Sequence, residues 1–145
     1  MGKILYIVGI DGSEYSQRAA ERAINLAQKV NAEVYFLAVV QWSKYQPLYV
    51  ADFEAPPRDT SKEEELERKN LLEPLEKKFE SSGVKIRSKL IWGLAEDVIK
   101  EQAKTEHANM IFVGRRGRSK ILNLIIGSVS TSLAHSAGIP VVLVP

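Results

Sequence analysis

The sequence predicts an α/β fold in which five parallel strands form an open sheet with helices on both faces. Short apolar runs alternate with segments of helical periodicity along the whole chain, and this alternation is typical of parallel strands joined by right-handed crossovers. Most of the runs are apolar without interruption, which indicates strands covered on both faces. Residues 1–145 contain no internal repeat or linker, so we expect a single domain. The strand order that we expect, 3-2-1-4-5, is that of an open Rossmann-like sheet.

The first half of the chain predicts a strand, a helix and a second strand. Residues 3–10 are almost continuously apolar. The apolar residues of 16–30 recur with the 3.6-residue period of an amphipathic helix, which we expect Asn31 to end and either Asp11 or Ser13 to cap. Residues 33–40 are apolar at every position after Glu33 and predict a second buried strand.

The middle of the chain predicts a long connection and then a charged helix. Residues 42–59 contain three prolines and several aromatic residues without a clear period, so this connection is expected to be functional or mobile. Its aromatic side chains are equally suited to covering a ligand and to anchoring a loop. Residues 60–64 offer two overlapping capping boxes, Thr60 with Glu63 and Ser61 with Glu64. In the following helix Pro74 should produce a kink or a break, and the expected buried residues are Leu66, Leu72, Leu75 and Phe79.

The second half predicts three further strands and two helices. Residues 84–91 alternate apolar with basic side chains, which predicts an edge strand with one face in solvent. Gly93 is a candidate cap for the next helix, whose expected inward-facing residues are Leu94, Val98, Ile99 and Ala103. Residues 109–113 predict the fourth strand, 128–137 the last helix, closed by Gly138, and 141–144 the fifth strand.

The most informative stretch runs from the fourth strand into the last helix. It reads Val113-Gly114-Arg115-Arg116-Gly117-Arg118-Ser119 and continues at Gly127-Ser128-Val129-Ser130. A strand, a basic glycine-rich loop and a helix start in this order are typical of phosphate binding, because glycines let the backbone approach an anion and the first helical turn offers unpaired N–H groups. The alternative is a solvated turn with Ser128 as an ordinary helix cap.

A second loop, Asp11-Gly12-Ser13, follows the first strand. In open parallel sheets ligands bind at the carboxyl ends of the strands, near the point where the strand order reverses. With the order 3-2-1-4-5 this loop lies beside Gly114–Gly117, although Asp11 taken alone is better explained as a helix cap. The two loops together predict a binding site.

These motifs, together with the chain length and the closing Pro140-Val141-Val142 segment, resemble the universal stress protein family, and the glycine spacing resembles its ATP-binding branch. The resemblance implies that Asp11 lies by the ribose or adenine, that Val39 contacts adenine through its backbone, and that Val113 and Gly114 border the ribose. It implies that the phosphates are held through backbone N–H and hydroxyl groups by Gly117, Gly127, Ser128, Val129 and Ser130. Gly12 and Ser13 complete the first loop of the expected site. Arg116 and Arg118 are candidates for the terminal phosphates, and the resemblance leaves the roles of Arg115 and Arg116 open.

The resemblance implies a regulatory module that binds ATP, with Mg²⁺ or Mn²⁺ held through the phosphates. It also implies a homodimer joined by the last strand and an unidentified regulatory protein partner. The alternative is an ATP-using enzyme of the same fold class, of the adenylating or ATP pyrophosphatase type, but Gly9-Ile10-Asp11-Gly12-Ser13 does not match the Ser-Gly-Gly-x-Asp-Ser loop of those enzymes. A receiver domain would need an aspartate where this chain has Leu90-Ile91-Trp92. Slow ATP hydrolysis, and competition by AMP or cyclic AMP, stay open.

Composition and charge limit the kinds of site and partner that the chain can have. The chain has no cysteine, which excludes disulfides, thiolate metal sites and cysteine nucleophiles. The formal charge of +2 offers no global field for nucleic acid, so a nucleic-acid partner is not expected. No apolar run approaches the roughly 18 residues of a membrane helix, and the first residues lack the shape of a signal peptide, so we expect no membrane association and a cytoplasmic location.

Overall fold

The computed structural model describes residues 2–41, 60–117 and 127–145. The strands in these ranges are β1 (Leu5–Ile10), β2 (Glu33–Val40), β3 (Ile86–Trp92), β4 (Met110–Gly114) and β5 (Val141–Val144). The helices are α1 (Glu14–Val30), α2 (Ser61–Leu71), α3 (Glu73–Lys78), α4 (Ala95–Thr105) and α5 (Ser128–Ser136). Strands β2 and β5 have the predicted bounds, and the other strands begin one or two residues later than predicted. The expectations for residues 42–59 lie outside the described residues.

The strands form one parallel sheet in the order β3-β2-β1-β4-β5, which confirms the predicted fold and strand order. The central strand β1 pairs with β2 on one side and with β4 on the other, with Val8 opposite both Phe36 and Phe112. The order reverses at β1 and β4, so the carboxyl ends of these two strands are where such a sheet leaves room for a ligand. β3 and β5 are the two edges.

Helices cover both faces of the sheet, as predicted. On one face α1, α2 and α3 pack against Tyr6, Val8 and Phe36. The other face packs against α4 and α5 through Ile7, Leu37 and Ile111, among others. Both faces of the central strands are therefore dry, which explains why these strands are apolar at nearly every position.

Helix α1 has the boundaries that its sequence indicates. Its alanine-rich stripe, which includes Ala19, Ala23 and Ala27, is fully buried, and small side chains allow the helix to lie close to the sheet. The helix ends at Asn31, which adopts the left-handed conformation with φ 57° and donates its backbone N–H to Ala27. Asn31 as the end of the helix is confirmed.

The predicted interruption at Pro74 is confirmed, because α2 ends at Leu71 and α3 begins at Glu73. The prediction that Leu66 is buried is wrong, since its exposed fraction is 54%. The buried face of α2 carries Glu67 and Leu71, four residues apart, and Leu66 is rotated about 100° from Glu67 around the helix axis. Leu72, Leu75 and Phe79 are buried as expected.

Three capping predictions are also wrong. Thr60 is the N-cap of α2, but its side chain makes no capping bond and its hydroxyl donates instead to the carboxylate of Glu64, 3.0 Å away. Ser61 is already helical, so neither capping box forms. The N-cap of α4 is Leu94 rather than Gly93, and Leu94 is 52% exposed since it precedes the first helical turn and does not share its apolar stripe.

None of the described helices is long and apolar enough to cross a membrane.

Candidate functional site

The loops that follow β1 and β4 meet at a cavity of about 240 Å³. We call residues 11–13 the β1 loop, and residues 115–117 with Gly127 the described part of the β4 loop. The cavity lies at the carboxyl end of the sheet, where strand order reverses, as predicted for a binding site. Its described lining consists of Gly9, Ile10, Asp11, Ser16, Leu37, Val39, Ala95, Ile99, Val113, Gly114, Arg116, Gly117, Gly127, Ser128, Val129 and Ser130.

The lining divides into an apolar part and a polar part. The apolar part comes from the ends of β1, β2 and β4 and from α4, and includes Leu37, Val39 and Ile99. These residues belong to or border the core beneath α4 and α5, so the cavity continues that core toward solvent. The polar part comes from the two loops and the start of α5. Among the described lining residues, Asp11 and Arg116 are the charged ones, and they have opposite signs.

The β1 loop satisfies its own polar groups. The Asp11 carboxylate accepts from the backbone N–H of Ser13 at 2.9 Å, and the Ser13 hydroxyl accepts from the backbone N–H of Ser16 at 3.1 Å. Ser13 is thus the N-cap of α1, and the interpretation of Asp11 as the cap is wrong. Gly12 between them has φ 83°, a conformation that a side chain rarely adopts. The loop therefore holds the Asp11 carboxylate at the cavity and caps α1 with its own Ser13 side chain.

The β4 loop is tied to α5 and to β5 through its backbone. The Ser130 hydroxyl donates to the Gly114 carbonyl at 2.6 Å, and the Gly127 N–H donates to the Arg115 carbonyl at 2.8 Å. On the other side the Arg115 N–H donates to the Val144 carbonyl at 2.7 Å. Arg115 is half-buried and its side chain is not among the cavity lining; its Nε is buried without a hydrogen-bond partner among the described residues.

The start of α5 differs from that of α1. Its N-cap is Gly127, and no side chain of the described residues caps it. The first three residues of the helix, Ser128, Val129 and Ser130, all line the cavity. The alternative in which Ser128 is the helix cap is wrong, since Ser128 is the first helical residue. A helix start without a side-chain cap leaves backbone donors and the positive end of the helix dipole facing the cavity.

The three glycines of the motif have different surroundings, and none of them has a positive φ. A Cβ on Gly114 would lie 2.5 Å from Tyr15 Cβ, so this glycine lets α1 pack against β4. A Cβ on Gly117 would lie 2.6 Å from Asp11 Oδ2, which places the backbone of the β4 loop directly beside that carboxylate. At Gly127 the nearest atom would be 3.5 Å away, an ordinary contact.

The structure brings most of the predicted site residues together. Asp11, Val39, Val113, Gly114, Arg116, Gly117, Gly127, Ser128, Val129 and Ser130 line the cavity. Gly12 and Ser13 do not line it, and instead shape the loop that presents Asp11. Arg118 lies outside the described residues.

Several lining residues were not predicted. Leu37 lies two residues before Val39 on β2, and Gly9 lies two residues before Asp11, so strand alternation could have indicated both. Ala95 and Ile99 lie four residues apart on α4, but the sequence carries no signal that this helix reaches the cavity. Ser16 is the third residue of α1, where a buried serine has no sequence signature.

The described residues contain no cluster of three or more His, Cys, Asp or Glu side chains that could hold a metal ion.

The pattern of the universal stress protein family matches residues 3–145. Universal stress protein MJ0531 of Methanocaldococcus jannaschii is 32% identical over 146 residues, which cover 99% of this chain and 84% of the relative.

Solved structures share the fold. Hypothetical protein MJ0577 has a TM-score of 0.82 at 22% identity, over 99% of this chain and 96% of its own. A universal stress protein in complex with cAMP has a TM-score of 0.68 at 22% identity, over 99% and 98% of the two chains. A family member from Arabidopsis thaliana with AMP bound has a TM-score of 0.65 at 17% identity, over 97% and 90%. At these identities the likeness shows the common fold.

Proposed function

We propose an ATP-binding regulatory function for this chain. The proposal starts from the fact that the chain belongs to the universal stress protein family. The observation that carries the proposal is the uncapped start of α5, whose first three residues line a cavity at the switch point of the sheet. A helix start of this kind binds phosphate through backbone N–H groups. Structures of related fold with AMP and with cAMP support a nucleotide as the ligand.

The cavity fits the two chemical parts of an adenine nucleotide. The apolar part, with Leu37, Val39 and Ile99, suits the flat face of a base. Asp11 lines the cavity beside Gly117, where its carboxylate can accept hydrogen bonds from ribose hydroxyls. The phosphates then extend toward Gly117 and the start of α5, with Arg116 as the nearby cation.

A divalent cation, Mg²⁺ or Mn²⁺, is proposed to arrive with the phosphates. Hard oxygen ligands suit these ions, and Asp11 is the one carboxylate among the described lining residues. Most of the coordination would come from the nucleotide and water. With a single carboxylate and no histidine in the described lining, the site supports binding, followed by signalling to a protein partner, rather than rapid hydrolysis.

Calorimetry with ATP and Mg²⁺ tests the proposal through Gly117→Val. A valine Cβ would overlap Asp11 Oδ2 and push the carboxylate or the loop out of place, so saturable heat in the natural protein should disappear in the variant. Gly2→Val is the matched control, because no atom lies within 4 Å of its Cβ position. Equal affinities for a folded Gly117→Val protein and the natural one would contradict the site. Omitting Mg²⁺ should weaken the affinity for ATP.

We also propose that β5 joins two copies of the chain. Strand β5 is an edge of the sheet, and Val141-Val142-Leu143-Val144 carries no charge to discourage pairing. The carbonyls of Pro140 and Val144 face β4. By strand alternation the backbone groups of Val141 and Leu143 face outward, where antiparallel pairing with a second β5 would satisfy both copies.

Leu143→Pro tests the pairing, because it removes an outward N–H while leaving the inward groups of β5 in place. Leu143→Ala is its control for the lost apolar side chain. Light scattering should give a dimer for the natural chain and for Leu143→Ala, and a monomer of about 16.2 kDa for Leu143→Pro. A natural chain that stays monomeric at high micromolar concentration would rule out this interface.

A further inference from the structure

Two buried serines occupy the same place in the two helices that begin at the cavity. Ser16 is the third residue of α1, and Ser130 is the third residue of α5. Each is only 3% exposed, and both line the cavity. Buried polar side chains are uncommon in this protein, since Glu67 is the one other buried polar or charged residue among those described.

Both hydroxyls bond back to the loop that precedes their helix. The Ser130 hydroxyl donates to the Gly114 carbonyl at 2.6 Å, at the last residue of β4. The Ser16 hydroxyl donates to the Ser13 carbonyl at 3.0 Å and accepts from the Asp11 N–H at 3.3 Å. Each serine thus joins the first turn of its helix to the loop that presents site residues.

A serine hydroxyl carries a single proton, and a phosphate oxygen can only accept. Because the Ser130 proton is donated to Gly114, this hydroxyl has none left for a phosphate. Ser128 is different, since it lies exposed at the cavity in the first helical position. The two serines of the Gly-Ser-Val-Ser segment therefore have separate tasks.

We infer that Ser16 and Ser130 are positioning residues for the nucleotide site: Ser130 fixes the β4 loop against α5, and Ser16 fixes the β1 loop against α1. The expected effect on ligand affinity rests on the proposed nucleotide binding. The hydrogen bonds of the two serines are present in the free protein. In this arrangement the hydroxyl that binds phosphate is that of Ser128 and not, as expected, that of Ser130. The backbone N–H groups of α5 still donate hydrogen bonds to the phosphate.

Ser130→Ala should loosen the β4 loop before any ligand is added. It leaves the Gly114 carbonyl without its partner, so amide hydrogen exchange at Arg115 and Gly127 should speed up about tenfold relative to Val8 in β1. The matched control is Thr131→Ala, which removes a similar hydroxyl-to-carbonyl bond, to Gly127 at 2.9 Å, on the exposed side of the same helix. Ser16→Ala should produce the same acceleration at the Ser13 amide.

The affinity for ATP, measured by calorimetry at a temperature where each variant is folded, completes the test. Both serine variants should bind about tenfold more weakly, and Thr131→Ala should bind like the natural protein. If Ser130→Ala does not fold, Ser130→Cys keeps a side chain of similar size with a weaker donor and is read in the same way.

Each other result overturns the inference. Weaker ATP binding with unchanged amide exchange would make Ser130 a direct phosphate ligand. Lower thermal stability with unchanged affinity and unchanged loop exchange would make the serines merely structural. If the natural protein binds no nucleotide at all, the proposed function fails. The exchange measurement on the free protein then decides by itself whether the two serines hold the loops in place.

Discussion

The β1 loop and the β4 loop follow neighbouring parallel strands, precede helices and line the same cavity, yet they resolve the same backbone problem in opposite ways. In the β1 loop, Asp11 accepts from the N–H of the cap residue Ser13, and the Ser13 hydroxyl accepts from the N–H of Ser16 in the first turn of α1. In the described part of the β4 loop no side chain caps α5, and Gly127 supplies only its backbone.

The difference separates a structural task from a binding task. A helix start that its own side chains have closed offers few donors to a ligand, whereas an open start offers several. The β1 loop presents a carboxylate to the cavity, and the β4 loop presents backbone donors and Arg116. The two loops are therefore complementary, and the proposed nucleotide would place its ribose hydroxyls beside the first loop and its phosphates beside the second.

The largest effect on stability should come from the point where the end of β4 packs against the start of α1. In Gly114→Ala the new Cβ would lie 2.5 Å from Tyr15 Cβ, 2.8 Å from the Tyr15 backbone and 2.9 Å from the Arg116 carbonyl. None of these atoms is the end of a flexible side chain, so the free energy of unfolding should fall by about 3 kcal/mol.

Urea denaturation measures the change in Gly114→Ala, and Gly127→Ala is the comparison. At Gly127 the nearest atom would be 3.5 Å away, so we expect a loss below about 1 kcal/mol. Similar losses in the two variants would mean that the glycines of the motif serve one common purpose, contrary to the different surroundings that the structure gives them.

The next effect concerns the charge of the β4 loop. If Arg116 pairs with the terminal phosphates, Arg116→Ala should weaken ATP binding about ten- to a hundredfold and weaken AMP binding much less. Lys29→Ala, in the last turn of α1 far from the loop, is the control cation. If the ratio of the affinities for ATP and AMP were the same before and after the change, Arg116 would not contact the terminal phosphates. The same titration applies to Arg118.

Much of this architecture was predictable, and the reasons are local. Strands β2 and β5 were predicted with their observed bounds because β5 is apolar throughout and β2 is apolar at every position after Glu33. The approach of Gly117 to Asp11, about a hundred residues apart in sequence, followed from strand order, since neighbouring parallel strands place their following loops side by side.

The failures share a physical cause, which is that burial depends on tertiary contacts. Leu66 and Leu94 are apolar but exposed, because each lies off the stripe that its helix presents to the sheet. The polar serines Ser16 and Ser130 are buried, because each finds a carbonyl within reach. The packing of α5 on β4 decides whether the Ser130 hydroxyl can reach a phosphate or donates to a backbone carbonyl. This packing cannot be predicted from the residue type alone.

The smallest effect tests the self-closing character of the β1 loop. Ser13 and Thr60 are both N-cap residues with a hydroxyl, but only Ser13 accepts from the first turn of its helix. Ser13→Ala should therefore lower the free energy of unfolding by about 1 kcal/mol, and Thr60→Ala should leave it nearly unchanged. Thermal unfolding of both variants and of the natural chain measures the difference. If the two losses were equal, the Ser13 hydroxyl would add nothing as a cap, and the contrast with the open start of α5 would disappear.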